Sequence, residues 1–510
     1  MAEQSKPQGP DLAQGVSLDQ VADGGMLGGH VGDEAVLIAR RGNDLFAIGA
    51  TCSHYSGPLA EGLMVDDTVR CPWHHACFSL RTGEAIGAPA FNPLSCWRVE
   101  KRDGKVFVRD KIEPTRPLAR ATGESDASSR IVIVGGGAAG FAAAEMLRRE
   151  GFSGSLTMVS SDDAAPYDRP NCSKDYLAGN APEEWMPLRP DDWYKEQAID
   201  LVLRTEVTGI DTKARQVTLA GGKSLRFDKL LLATGAEPVR LDIPGADRPH
   251  VHVLRSLSDS RAITARAKEA RRAVVIGASF IGLEVAAALR AREIETHVVA
   301  PERRPLERVL GPEFGDFVRA LHEEHGVAFH LEDTVTAIDD EQATLKSGGK
   351  LAADLVVVGV GVRPRTQLAE RAGLKVDRGV MVDEYLETSA PGIFAAGDIA
   401  KWPDRHSGEA LRIEHWVVAE RQGQAAARNM LGRREPFAEV PFFWSQHYDV
   451  PINYVGHAAK WDRLEIDGDI KGRDCVARYR AGGKVLAVAS IYRDVDSLKA
   501  EVAMEQGAAP

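Results

Sequence analysis

Ile131-Val132-Ile133-Val134-Gly135-Gly136-Gly137-Ala138-Ala139-Gly140 decides the fold of most of this chain. Four consecutive apolar residues read as a buried strand, the glycines as a tight turn, and the stretch through Arg149 as a helix. Strand, glycine-rich turn and helix form a dinucleotide cradle, in which backbone approaches a pyrophosphate and the helix N-terminus supplies N–H donors and positive dipole. One such motif is weak evidence. A second follows about 140 residues on: Ala273-Val274-Val275-Ile276, then Gly277-Ala278-Ser279-Phe280-Ile281-Gly282, then a helix from Leu283 to Arg292. Two copies in the same strand-to-helix context make a strong pattern.

Upstream lie two boxes of metal-ligating residues. They read Cys52-Ser53-His54 and, sixteen residues later, Cys71-Pro72-Trp73-His74. Each offers one thiolate and one imidazole on a short loop. That inventory suits a [2Fe–2S] centre in which Cys52 and Cys71 hold one iron and His54 and His74 the other, the Rieske arrangement. Zinc is the competing reading, but Cys₂His₂ zinc fingers place both cysteines before both histidines, whereas here they alternate.

Composition narrows the rest. The chain has 510 residues, 44% hydrophobic and 27% charged, with net charge −11. That length suits three or four domains, and the acidic balance argues against nucleic acid as a partner. No apolar run of membrane-spanning length occurs, and the first residues lack the charged and apolar regions of a secretory signal. Cys77, Cys96, Cys172 and Cys475 are scattered singly, as in a reducing cytosol rather than a disulfide framework. A cytoplasmic location is expected.

The expected architecture is multidomain. Residues 1–15, polar and rich in Pro and Gly, read as a disordered tail. Residues 16–112 read as an antiparallel β domain, with the ligand boxes between strands. Residues 113–129 read as a linker. Beyond it the character is α/β: one nucleotide-binding domain from 130–249 and 367–434, a second from 250–366, and a small α+β piece from 435–510.

The motif series resembles the two-dinucleotide-binding flavoprotein reductases, comprising ferredoxin reductases of oxygenase systems and apoptosis-inducing-factor-like proteins. It includes both glycine loops, Pro166-Tyr167-Asp168-Arg169-Pro170 with Ser173-Lys174, and Ala233-Thr234-Gly235-Ala236. It continues with the run from Val358 to Pro364 containing Gly361, then Ala395-Ala396-Gly397-Asp398 and Glu414-His415-Trp416. With the ligand boxes included, the chain resembles the apoptosis-inducing-factor-like members with an N-terminal Rieske domain.

The resemblance implies FAD on the first loop (Gly135, Gly137, Gly140). Asp162, or Asp163 instead, would bind its ribose, and Thr234, Gly235, Gly397 and Asp398 would line it. Arg169 and Lys174 would line the flavin, Lys174 near its reactive edge. The resemblance places NAD(P)H, with NADH favoured, on Gly277, Ser279, Gly282 and Gly361. Ser279 replaces the fingerprint's middle glycine and is expected to offer a hydroxyl donor. Glu284 would meet the nicotinamide side and pair with Lys174 across the flavin edge; the alternative is a helix-cap carboxylate. Glu414, His415 and Trp416, with Phe443 and Trp444 from the C-terminal piece, would close the pocket, against a reading of these aromatics as core packing. Lys174 and Glu284 are the expected catalytic pair.

What is missing also informs. Cys172 has no cysteine partner nearby, so dithiol chemistry is not expected and Cys172 reads as an apolar filler. His322 and His325, among charged neighbours on a helix, read as a solvated face rather than a mononuclear iron site. Near the cluster, Gly57 and Trp73 stand where high-potential Rieske proteins carry a disulfide, and Ala76 and Phe78 where they carry hydroxyls. A low potential, about −150 mV, is therefore expected. His75 stands where the family usually has glycine, which puts the local backbone in question. The expected function is electron flow from NAD(P)H through FAD to the cluster and on to an external acceptor, a protein among the candidates. The alternatives are an oxygenase-system reductase component and an NADH-sensing protein that signals through a homodimer.

Overall fold

The computed structural model describes residues 8–112 and 128–510, so most of the expected linker lies outside the described residues. The chain divides into two compact units, Met1–Arg120 with Arg493–Pro510, and Ala121–Tyr492.

In the first unit, six strands form an antiparallel sheet in the order Val16–Ser17, Lys105–Ile112, Cys96–Arg102, Asp44–Gly49, Glu34–Arg41 and Met26–Val31. Its two central strands are buried on both faces: Leu37, Ala39 and Ile48 enter one core cluster, and Val36, Ile38 and Ala47 another. A four-stranded sheet of Leu63–Val65, Thr68–Arg70, Cys77–Ser79 and Ala85–Gly87 carries the second ligand box. Arg70 pairs with Cys77, so residues 71–76 are the loop of a hairpin. Residues 8–15 depart from the expected disordered tail. Leu12 is fully buried and donates its N–H to the His30 carbonyl at 2.8 Å, because an apolar residue there completes the core around Val36, Ile38 and Trp97.

The second unit holds two parallel five-stranded sheets. In the first, the strand Arg130–Val134 lies between Ser155–Val159 and Lys229–Leu232, and Ile393–Ala395 pairs with the latter. Residues near 395 thus return to the first sheet across more than 150 positions of sequence. In the second, Arg272–Ile276 lies between Leu355–Val358 and Glu295–Ala300. The near-continuous apolar strands suit parallel sheets covered on both faces. A five-stranded antiparallel sheet, Phe442–His447 through Lys484–Ile491, closes this unit. The helix Asp494–Glu505 belongs to the first unit, so the expected 435–510 piece is divided near residue 492.

Candidate functional site

Two ligand boxes adopt one loop twice. The Cys52 N–H donates to Gly57 O at 2.9 Å and Ser56 N–H to Cys52 O at 3.0 Å; the Cys71 N–H donates to Ala76 O at 2.9 Å and His75 N–H to Cys71 O at 3.2 Å. The fourth residue after each cysteine takes positive φ, 62° at Ser56 and 60° at His75. The left-handed turn is thus kept at His75 despite the absent glycine. Both cysteines are buried, and hydrogen bonding with Cys71 holds the Cys52 thiol below its usual value while raising that of Cys71. His54 Nδ1 and His74 Nδ1 lie 3.2 Å apart. Burial pushes His54 down to about 3, leaving the neutral ring that a metal requires. A Cβ on Gly57 would stand 2.6 Å from Cys71 Sγ, so only glycine permits this approach of the loops.

Two thiols side by side and two Nδ1 atoms side by side fit a two-iron, two-pair donor set. Among the described residues no three or more His, Cys, Asp or Glu side chains are arranged to hold a single ion.

The second unit carries two cavities that share Gly137, Arg169, Ala233, Gly235 and Arg255. The larger, about 910 Å³, is lined by Gly135, Gly137, Asp162, Asp163, Thr234 and Gly235 among others. The other, about 480 Å³, collects Arg169, Lys174, Ser279, Glu284, Gly361, Gly397, Asp398, Glu414, His415, Trp416, Phe443 and Trp444. Most of the expected site residues therefore converge on one connected pair of cavities. Gly140, Gly277 and Gly282 do not line them. A Cβ on Gly140 would meet Gly135 O at 1.9 Å, and one on Gly282 would meet Gly277 O at 2.2 Å, so these glycines set close helix–strand packing. Gly277 takes φ 111° against the Gly359 carbonyl.

Glu284 sits in the helix Phe280–Ala291, 3% exposed. It accepts from Lys174 Nζ at 2.8 Å, Ser173 Oγ at 2.6 Å and Ser445 Oγ at 2.6 Å. Burial alone would raise its pKa; the Lys174 charge and the three bonds hold it below the usual value. Lys174 is thus a half-buried partner of Glu284 rather than a solvated surface lysine. The network continues inward: Ser445 Oγ lies 3.3 Å from His447 Nε2, and His447 Nδ1 3.1 Å from His322 Nε2. His322 is fully buried, which corrects the expectation of a solvated face. Its neighbours Glu323 and Glu324 point outward while it lies on the Val318–Leu321 side.

Ser279 also departs from expectation. Its hydroxyl donates to Gly359 O at 2.8 Å, tying the glycine loop to the next strand rather than facing the cavity as a free donor. Sequence reasoning missed Arg255, which lines both cavities and pairs with Asp398. It missed Ser445 and His447 as well. A lone arginine before a helix cap carries no motif, and the other two act only through folding.

The cavities suit a dinucleotide. Their lining combines glycine loops, two helix starts at Ala138 and Trp416, and buried polar atoms without protein partners, Arg169 Nε and His415 Nδ1. His415 packs against Phe443 with ring centroids 4.3 Å apart, and Lys174 lies 5.9 Å from the Trp444 ring. Cys172 is 2% exposed, and burial pushes its thiol up to about 12, far from a reactive thiolate. None of the six cysteines is joined in a disulfide.

The family model of pyridine nucleotide-disulphide oxidoreductases matches residues 129–423, more than half of the chain. The chain belongs to that family. The Rieske [2Fe-2S] domain model matches residues 15–98 and the reductase C-terminal model residues 442–510. Apoptosis-inducing factor 3 of Homo sapiens is 33% identical over 95% of this chain and 82% of its own length. The anthranilate 1,2-dioxygenase system ferredoxin–NAD(+) reductase component of Burkholderia cepacia is 36% identical, over 74% of this chain and 95% of its own. The structure of the covalent putidaredoxin reductase–putidaredoxin complex superposes with TM-score 0.72 at 33% identity, covering 75% of this chain and 94% of that one. This family member is an NAD(P)H-dependent FAD oxidoreductase that also carries a Rieske [2Fe–2S] domain. No helix among the described residues is long and apolar enough to cross a membrane.

Proposed function

We propose that the connected cavities hold FAD and NADH, that Cys52, His54, Cys71 and His74 hold the cluster, and that the chain delivers electrons from NADH to an external protein acceptor. FAD, when bound, takes a hydride from NADH and releases electrons singly to a one-electron [2Fe–2S] centre. The first-unit fold at residues 16–112 is the cluster domain; residues 130–249 with 367–434 bind FAD and 250–366 bind NADH.

The observation that carries this reading is Glu284. Its carboxylate, buried and bonded to Lys174, Ser173 and Ser445, places a fixed charge pair where the two dinucleotide motifs meet. Lys174 supplies a cation and hydrogen-bond donor at the cavity wall, and Glu284 orients it. Trp416, Phe443 and Trp444 supply apolar walls that exclude water. Gly397 and Asp398 line the same cavity, Gly397 N–H held by Gln422 Oε1 at 2.8 Å. After Ala300, Glu302 is the candidate for the ribose 2′-hydroxyl and Arg303 and Arg304 for a 2′-phosphate. NADH is favoured because the Arg304 guanidinium is already taken by Asp316 at 2.7 Å and Glu307 at 3.2 Å, leaving the exposed Arg303 as the competing anchor. kcat/KM for NADH is expected to exceed that for NADPH at least about tenfold, or 1.4 kcal/mol.

A protein acceptor is favoured by the likeness to the putidaredoxin reductase complex. The test is NADH-driven reduction of a small [2Fe–2S] ferredoxin by the whole chain and by Cys52→Ser. On this reading the variant still has its flavin reduced by NADH but no longer reduces the acceptor. Equal acceptor reduction by both proteins would remove the cluster from the path. The NADH-sensing alternative requires a long-lived reduced state with no productive acceptor.

A further inference from the structure

We propose that the C-terminal helix Asp494–Glu505 is a brace for the second ligand box, with Glu501 as a positioning residue that also lowers the potential of the centre. This rests on the assignment of Cys71 and His74 as ligands.

Ser497, Glu501 and Glu505 recur every four residues, so they form one stripe on the helix. Between them they reach the two residues that flank the box, Glu501 touching both. Arg70, just before Cys71, donates to Glu501 at 3.1 Å and to both carboxylate oxygens of Glu505 at 2.9 and 2.6 Å. His75, just after His74, has Nδ1 2.9 Å from Glu501 Oε2 and Nε2 3.3 Å from Ser497 Oγ. Both nitrogens of one imidazole are thus held by one helix.

The two loops, alike in backbone, differ at this position. The loops share hydrogen bonds and positive φ, yet Ser56 is exposed whereas His75 is fully buried. A bulky residue in the left-handed region costs about 1 kcal/mol or more, and persists where its surroundings hold it there. Burying a carboxylate is likewise costly unless it is paired and hydrogen-bonded. Glu501 is 0% exposed, and it pairs with Arg70 and His75 on the box. A helix needed only for packing would present apolar residues on this stripe, as Leu498 and Met504 do beside it. A carboxylate fixed next to the box also opposes the negative charge that reduction adds.

The test uses the full chain, unaltered and as Glu501→Gln and His75→Gly. Iron per chain, the EPR spectrum after dithionite reduction, the midpoint potential and the rate of iron loss to a chelator are measured for each. Glu501→Gln is expected to raise the midpoint potential and to speed iron loss at least twofold. His75→Gly, whose glycine accepts positive φ without strain, is expected to speed iron loss while keeping the loop; it carries the test if Glu501→Gln does not accumulate folded. A normal Rieske signal with unchanged potential and iron loss in both variants overturns the brace alone. An unaltered chain that holds iron without a Rieske signal overturns the ligand assignment and the brace together.

Discussion

Gly57 lets the first ligand loop pack closely against the second. A methyl group there would overlap Cys71 Sγ, and Trp73 ring atoms lie 3.2 Å away on the same side. Gly57→Ala is therefore expected to push the loops apart and reduce bound iron well below that of the unaltered chain, measured as iron and acid-labile sulfide per chain. The Lys174–Glu284 pair belongs to the same scale. Glu284→Gln removes the carboxylate that pairs with and orients Lys174, a charge-assisted contact of about 1.5–3 kcal/mol. Flavin reduction by NADH is expected to slow about tenfold to a hundredfold, read by stopped flow. That pair was legible in the sequence because each residue sits in its own motif, Lys174 after Asp168-Arg169-Pro170 and Glu284 two positions past Gly282. Ser445 and His447 were not legible. They reach Glu284 and His322 from a strand more than 120 residues away, and nothing local to Ser445-Gln446-His447 marks them as polar members of a core.

At the scale of elements, the helix Pro312–Glu324 shows how a local reading fails. Charged neighbours suggested that His322 faces water, yet it shares a buried face with Phe314, Val318 and Leu321 and meets His447 from the strand Phe442–His447. This burial has a pH signature. In the unfolded chain both imidazoles protonate near 6.5, whereas burial pushes His447 down to about 4 and His322 well below its usual value. Between about pH 4 and 6.5 the unfolded state binds more protons, so stability rises with pH by about 1.4 kcal/mol per unit for each histidine. Their contribution is complete above about pH 6.5 and is lost as pH falls toward 4. Thermal unfolding across that range is expected to show a falling Tm, and His447→Gln to flatten the slope by removing one titrating ring. A slope unchanged in that variant would contradict the assignment. The glycine loops behave differently. Ser279 closes onto Gly359 O, so Ser279→Gly is expected to cost about 1 kcal/mol of stability while shifting KM for NADH less than about threefold, or 0.65 kcal/mol.

At the scale of the whole molecule, the order of modules was readable because each carries its own periodicity: alternating short strands, then strand–glycine–helix units, then antiparallel strands. Their limits were less so. Leu12 joins the first core from a segment whose Pro and Gly content suggested disorder, and Asp494–Glu505 leaves the C-terminal sheet for the unit of the ligand boxes. Composition reports neither event, because both depend on which surface a few side chains find. The cluster environment is also a whole-molecule property. With Ala76 and Phe78 buried beside the ligands and no hydroxyl at those positions, the midpoint potential is expected near the low end of the Rieske range, about −150 mV; a value above roughly +100 mV would contradict this.

The central claim is that one chain carries electrons from NADH through FAD to its own cluster. An anaerobic NADH titration of the purified protein, following flavin absorbance and cluster EPR in the same sample, tests it most directly. Bleaching of the flavin together with a rhombic Rieske signal is the expected result. Flavin bleaching with no cluster signal, in protein whose iron and sulfide content is complete and whose cluster dithionite reduces, would contradict it.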